Sequence, residues 1–214
     1  MSAMKIALVT CSTREPRINP FITKYVHDII QEAQWDRKKK KEEEEEDNNV
    51  SISIIDLQDQ NLPLYNEPAI PSHLSSTDPT PQYIHEHTRA WSALVRQYNA
   101  FIFITPQYNW SIPASLKNAL DYLFYEWKGK PAGIVTYGGR GGGKAGDHLR
   151  GVLTGLRMRS VATAPGIVVR SEVMEGCLTK GEVSMEDRET WRSAGVEDAI
   201  RAMFEEVLSG LHEQ

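Results

Sequence analysis

Five short stretches of the chain are nearly continuous in apolar or β-branched residues: 4–9, 50–55, 100–105, 131–136 and 161–169. Runs of this length without a polar alternation suit strands covered on both faces, as in a parallel sheet. Between them the apolar period changes. Phe21, Ile22, Tyr25, Val26, Ile29, Ile30 and Ala33 recur at helical spacing, behind Pro20 at the first helical position and Asn19 as N-cap. Tyr83, Ile84, His87, Trp91, Leu94, Val95 and Tyr98 mark a second amphipathic helix. A third is predicted over about 113–124 with Ser111 as its cap. A fourth should run from the glycines after residue 137 to about 158, and a last one over about 188–208.

Strands alternating with helices imply a parallel sheet with right-handed crossovers. The pattern fits a flavodoxin-like three-layer α/β sandwich, with a five-stranded parallel sheet in the order 2-1-3-4-5. The chain has 214 residues, 40% of them hydrophobic, which suits one domain over 1–214. Two stretches depart from the alternation. Residues 37–49 hold a block of lysines followed by glutamates, read as a solvated insertion that prolongs the first helix. Residues 56–81 carry five prolines and read as a long surface loop.

The net charge of −5 gives no broad basic field for nucleic acid. No run reaches the roughly 18 apolar residues of a membrane span. Cys11 and Cys177 are far apart and belong to no CxxC or Cys/His spacing, so neither a metal site nor a disulfide scaffold is expected. A cytoplasmic location is the default expectation.

In the order 2-1-3-4-5, ligands bind outside the carboxyl ends of the strands where the connection reverses. Three loops of unusual composition fall there. The first, residues 10–19, holds Ser12, Thr13, Arg14, Arg17 and Asn19 at the mouth of the first helix. Free N–H groups, hydroxyls and guanidinium groups at a helix start suit a phosphate dianion. The second, residues 105–110, sets Pro106 before Gln107, Tyr108, Asn109 and Trp110, amides and aromatic faces that suit the edge and face of a heteroaromatic ring. The third runs from Tyr137 through Gly138, Gly139, Arg140, Gly141 and Gly142, a backbone a ligand can approach closely. Gly138–Lys144 has Walker A spacing, but Ala145 replaces the magnesium-holding hydroxyl. A GxGxxG match at Gly141, Gly143 and Gly146 has no acidic partner about 20 residues on.

Together, Ser12-Thr13-Arg14, Pro106-Gln107-Tyr108-Asn109, Tyr137-Gly138-Gly139 and the helix start 112–121 resemble the NADPH-dependent FMN reductase family, which includes small quinone and azo-dye reductases. The resemblance spans residues 4 to about 169. It implies FMN as cofactor and NADPH or NADH as hydride donor. The FMN phosphate is expected on Ser12, Thr13, Arg14 and Arg17, with Asn19 beside them. The isoalloxazine is expected along 106–110, and its pyrimidine side against Gly138–Gly142. The family is typically dimeric, with the helix near 113–124 in the interface, and the apolar residues of 112–127 fit a second partner surface.

Flavin chemistry needs no catalytic triad, so no side chain is expected as an obligatory acid or base, and His85, His87 and His148 read as structural or solvated. The expected reaction is ping-pong: NAD(P)H and then a small acceptor such as a quinone, flavin or azo dye share one stacking slot. Tyr108 and Trp110 form part of that slot, and Arg140 meets a nucleotide phosphate. Two other classes share the fold: an electron carrier that does not oxidise NAD(P)H, and a flavin-dependent redox-sensing interaction protein. The acidic excess that carriers use for docking is absent here.

Overall fold

The computed structural model describes residues 4–41 and 50–212. β1 (Met4–Thr10) is followed by α1 (Asn19–Lys41) and β2 (Val50–Asp56). The long loop after β2, containing two single 3₁₀ turns, leads to α2 (Glu86–Arg96), β3 (Ala100–Pro106), α3 (Ala114–Asp121), β4 (Pro131–Gly138) and α4 (Gly143–Gly155). The chain ends with β5 (Arg159–Ser160), β6 (Gly166–Val168), α5 (Ser171–Lys180), α6 (Met185–Ser193) and α7 (Val196–His212). The parallel sheet has the order β2-β1-β3-β4-β5, with β6 also on β4.

The apolar runs explain the layers. Ile6, Ala7, Leu8 and Val9 are all essentially inaccessible, because successive side chains of β1 enter opposite cores. On one face Leu8 and Ile102 meet Ile22, Tyr25 and Val26 of α1 and Phe204 and Val207 of α7. On the other, Val9 and Phe103 meet Trp91, Leu116, Leu120, Trp127 and Leu149 from the α2–α4 side. Each such side chain contributes about 1.5–3 kcal/mol by leaving water.

The structure corrects four expectations. The fifth strand is split: Arg159–Ser160 and Gly166–Val168 both pair with β4, separated by 161–165. Pro165 has no N–H to give the ladder, though its carbonyl accepts from Thr136 N–H at 2.9 Å. A Cβ at Gly166 would stand 2.8 Å from Gly141 O, so glycine is what lets β6 touch the glycine loop. The region expected as a connector and one helix forms three helices. The first two bury almost nothing but Cys177 and Trp191 respectively, which leaves no apolar stripe to read. Asn19 and Ser111 are not side-chain caps; both are spent elsewhere. Finally, Leu116, Leu120, Tyr122, Leu123 and Trp127, expected to face a second subunit, are buried in their own core.

α1 continues to Lys41, with Arg37 paired to Glu205 of α7. The acidic part of the insertion, 42–49, lies outside the described residues. Among the described residues no helix is long and apolar enough to cross a membrane.

Candidate functional site

Register brings the three loops to one edge. Thr10 ends β1 opposite both Asp56 of β2 and Ile104 of β3, and Pro106 pairs with Tyr137. The loops after β1, β3 and β4 therefore leave the sheet side by side at its carboxyl end.

The first loop is pinned from below. Ser12 N–H donates to Asn19 Oδ1 at 2.7 Å, while Asn19 Nδ2 donates to Ile104 O at 3.1 Å. Ser12 and Asn19 are fully buried. Arg17 Nη1 donates to Ser12 O at 2.7 Å and to Asp56 Oδ1 at 2.8 Å. Burial opposes the charge on Arg17, but Asp56, and then Glu15, outweigh it and hold the guanidinium above its usual range. Arg17 thus clamps the loop to the end of β2. Thr13 and Arg14 remain exposed, and Arg14 makes no ion pair among the described residues. The first turn of α1 has no acidic side chain to compete for its N–H groups.

The second loop folds back on itself. Tyr108 and Ser111 exchange both backbone hydrogen bonds at 2.9 Å, with Asn109 (φ 48°) and Trp110 (φ 66°) at the left-handed tip. Tyr108 turns its hydroxyl to Ser12 Oγ at 2.7 Å, and its ring lies 4.8 Å under the Arg14 guanidinium. Trp110 is 71% exposed.

The third loop is held by the second. α4 lacks a side-chain cap of its own because its N-cap is Gly142. Gly142 has φ 78°, and a Cβ there would meet Tyr137 O at 2.9 Å. Gln107 supplies the cap instead: its Oε1 accepts from Lys144 N–H at 3.0 Å and Ala145 N–H at 3.3 Å. Gly139 has open space where a Cβ would point.

Arg14, Arg17, Pro106, Gln107, Tyr108, Tyr137, Gly138 and Gly139 line one cleft of about 190 Å³. Ser12 and Asn19 lie beneath it. Trp110 and Arg140 stand outside its lining. Ile18, Val169 and Met174 close its far wall, and sequence reading did not identify them. Only the fold brings Met174 there, since α5 carries no recognisable stripe. Asp56 was missed too, although a carboxylate at the last residue of a strand beside the loop was a usable signal. Tyr137 is held far above the usual phenol range, chiefly by burial, with Tyr108 adding to it. Burial likewise pushes the Cys11 thiol well up, so it stays protonated and is no nucleophile.

The donor set fits a flavin mononucleotide. An unpaired arginine, hydroxyls and an acid-free helix start suit one phosphate dianion, and the glycine backbone leaves room for a flat ring. Fold and loops define a flavodoxin-like flavin-nucleotide protein. A family model described as NADPH-dependent FMN reductase matches residues 4–169. The NAD(P)H-dependent FMN reductase LOT6 of Saccharomyces cerevisiae is 40% identical over 79% of this chain and 82% of its own length. A quinone reductase of Pseudomonas putida is 32% identical over 51% of this chain and 56% of its own. In fold, the chain is similar to the flavoenzyme NAD(P)H:(acceptor) oxidoreductase FerB of Paracoccus denitrificans, with TM-score 0.62, 19% identity and coverage of 95% and 99%. The chain belongs to the NADPH-dependent FMN reductase family. It is an oxidoreductase that uses FMN with NAD(P)H as donor.

Proposed function

We propose that the chain reduces quinones or similar flat acceptors, flavins and azo dyes among them, by a ping-pong exchange at a single stacking site. The observation that carries this reading is the cleft joining Arg14, Tyr108 and Gly138–Gly139, where all three loops meet. FMN, when bound, supplies the two-electron chemistry. Ser12, Thr13, Arg14 and the Tyr108 hydroxyl hold its phosphate, while Arg17 and Asn19 keep the loop in shape. Pro106, Gln107 and Asn109 border the ring, and the backbone from Gly138 to Gly142 approaches its pyrimidine side. Trp110 offers a stacking face to nicotinamide and acceptor in turn, and Arg140 meets a nucleotide phosphate. The Walker A spacing and the GxGxxG match read as coincidental, so donor and acceptor exclude each other.

The long loop rests on α3, the helix expected in a dimer interface, through Tyr65 N–H on Asn118 Oδ1 at 2.8 Å, and it carries exposed apolar side chains. Leu64 is 85% exposed, Ile70 58% and Ile84 62%. We assign the helix at about 113–124, with these exposed loop residues, to a homodimer interface, which light scattering at micromolar concentration tests: a single-chain mass refutes it. For the main reading, the purified protein is expected to be yellow, to bleach with NAD(P)H and to recover its colour with quinone. Double-reciprocal plots should be parallel, with quinone competing against NAD(P)H. Intersecting lines without that competition overturn the shared site.

A further inference from the structure

Lys144 and His148 stand four residues apart on α4 and so share one helix face. Both reach the tip of the second loop. Lys144 Nζ lies 5.9 Å from the Trp110 ring centroid, and His148 Nδ1 is 2.5 Å from Ser111 Oγ. His148 is exposed to solvent, while Ser111 is partly buried. Ser111 directly follows Trp110 in the chain, and its backbone exchange with Tyr108 holds it at the base of the turn, so the pair stands beside the proposed stacking face.

The proposed function leaves a proton unaccounted for. Reducing a quinone to a hydroquinone takes two electrons and two protons. Bound flavin in its reduced form would supply two electrons and one proton together, as hydride to one quinone oxygen. The other quinone oxygen is left as an anion. We propose that His148, acting through Ser111, delivers the second proton. The Ser111 Oγ–H bond breaks as the second quinone O–H forms, and the imidazolium Nδ1–H passes to Oγ. Neutral imidazole then regains a proton from water, which its exposure allows. The carbonyl of an acceptor stacked on Trp110 would face Ser111, whereas the Lys144 ammonium is committed to the ring and to Asp147, 3.8 Å away. His148 is thus a positioned proton source, and Ser111 the group that touches substrate.

This inference rests on the quinone reading, and the test keeps the two apart. Holoenzyme reduced with dithionite, without NAD(P)H, is mixed with a benzoquinone or with ferricyanide, which takes electrons and no proton. In His148→Gln and Ser111→Ala, reoxidation by quinone should slow by about 100-fold, the lower end of what one general acid supplies. Reoxidation by ferricyanide should stay within twofold, and added imidazole should restore part of the loss in His148→Gln. Imidazole ¹⁵N NMR of the oxidised holoenzyme should show the His148 Nδ1 signal move in Ser111→Ala. Equal slowing with both oxidants, no slowing with quinone, or an unmoved Nδ1 signal overturns the relay. Failure of NAD(P)H to bleach a protein whose dithionite-reduced form behaves as expected would sink the reductase reading and leave the relay standing.

Discussion

The loop after β1 and the loop after β3 border the same cleft but are built in opposite ways. The first is tied down by buried and half-buried polar groups: buried Asn19 spans Ser12 and Ile104, and half-buried Arg17 spans Ser12 and Asp56. The second has an exposed tip, with Trp110 open to solvent and its ties to α4, through Lys144 and His148, lying at the surface. Buried hydrogen bonds are costly to break and exposed ones are cheap. A cofactor phosphate that stays in place needs the first kind of support. A slot that admits two substrates in turn tolerates the second.

The comparison is most exposed at Asn19. Asn19→Ala leaves the buried Ser12 N–H without this partner, while the Ile104 carbonyl still accepts from Cys11 N–H at 3.2 Å. At about 1–3 kcal/mol for one such orphaned group, stability should fall by about 1–3 kcal/mol. Urea denaturation measures it. A loss below about 1 kcal/mol would mean that the first loop is no more firmly held than the second.

The two arginines of that loop sharpen the contrast from inside. Arg14 is exposed and without an ion pair among the described residues, so its loss should remove a charge-assisted bond to the FMN phosphate. FMN binding should weaken by about 1.5–3 kcal/mol, with riboflavin binding nearly unchanged. Arg17→Ala should weaken both ligands together, because it frees Asp56 and loosens the loop. Fluorescence titration with each flavin separates the cases. A phosphate-selective loss at Arg17 instead would mean that its clamp to Asp56 opens when FMN binds.

At the second loop the expected effect is smaller. Gln107 caps α4 across the chain, so Gln107→Ala should cost about 0.5–2 kcal/mol, the range of a lost cap. Thermal unfolding reads it. The same variant should loosen Trp110, raising its fluorescence anisotropy decay amplitude, because the turn and α4 then share fewer ties.

Parallel-sheet strands were legible because burial on both faces demands unbroken apolar runs, as in 4–9 and 100–105. The three loops were legible because hydroxyls, arginines, aromatics and glycines at strand ends have few other uses. What escaped was partnership. Nothing local in the sequence says that Arg17 turns to Asp56, that Gln107 reaches α4, or that the Tyr108 hydroxyl meets Ser12; each contact joins residues brought together only by strand register. The helices 171–180 and 185–193 escaped for a different reason. Each buries too little to imprint a period, yet Met174 of the first completes the cleft. In the apolar stretch 112–127, Tyr122 and Trp127, which suggested a second partner surface, fill the chain's own interior, while Phe124 and Tyr125 stay half-buried.

The smallest effect belongs to the charged insertion, which begins at the far end of α1. α1 begins beside the cleft and runs 23 residues away from it, about 35 Å at 1.5 Å per residue. Its far end is fastened to α7 through Arg37 with Glu205 and Arg201 with Glu32 and Asp36. Those exposed ion pairs are each worth at most about 1 kcal/mol, and all of them lie before residue 38. Replacing 38–47 with a short Gly/Ser link should therefore leave them in place and remove, among the described residues, side chains such as Lys39, which lies over exposed Trp35. Flavin content per chain, read from the visible absorbance of the purified protein, should match that of the full chain, and turnover with quinone should stay within twofold. If flavin is lost, the insertion contributes to the cleft from a distance that neither loop's support explains, and the division between a pinned loop and an open one would have to be redrawn around a third element.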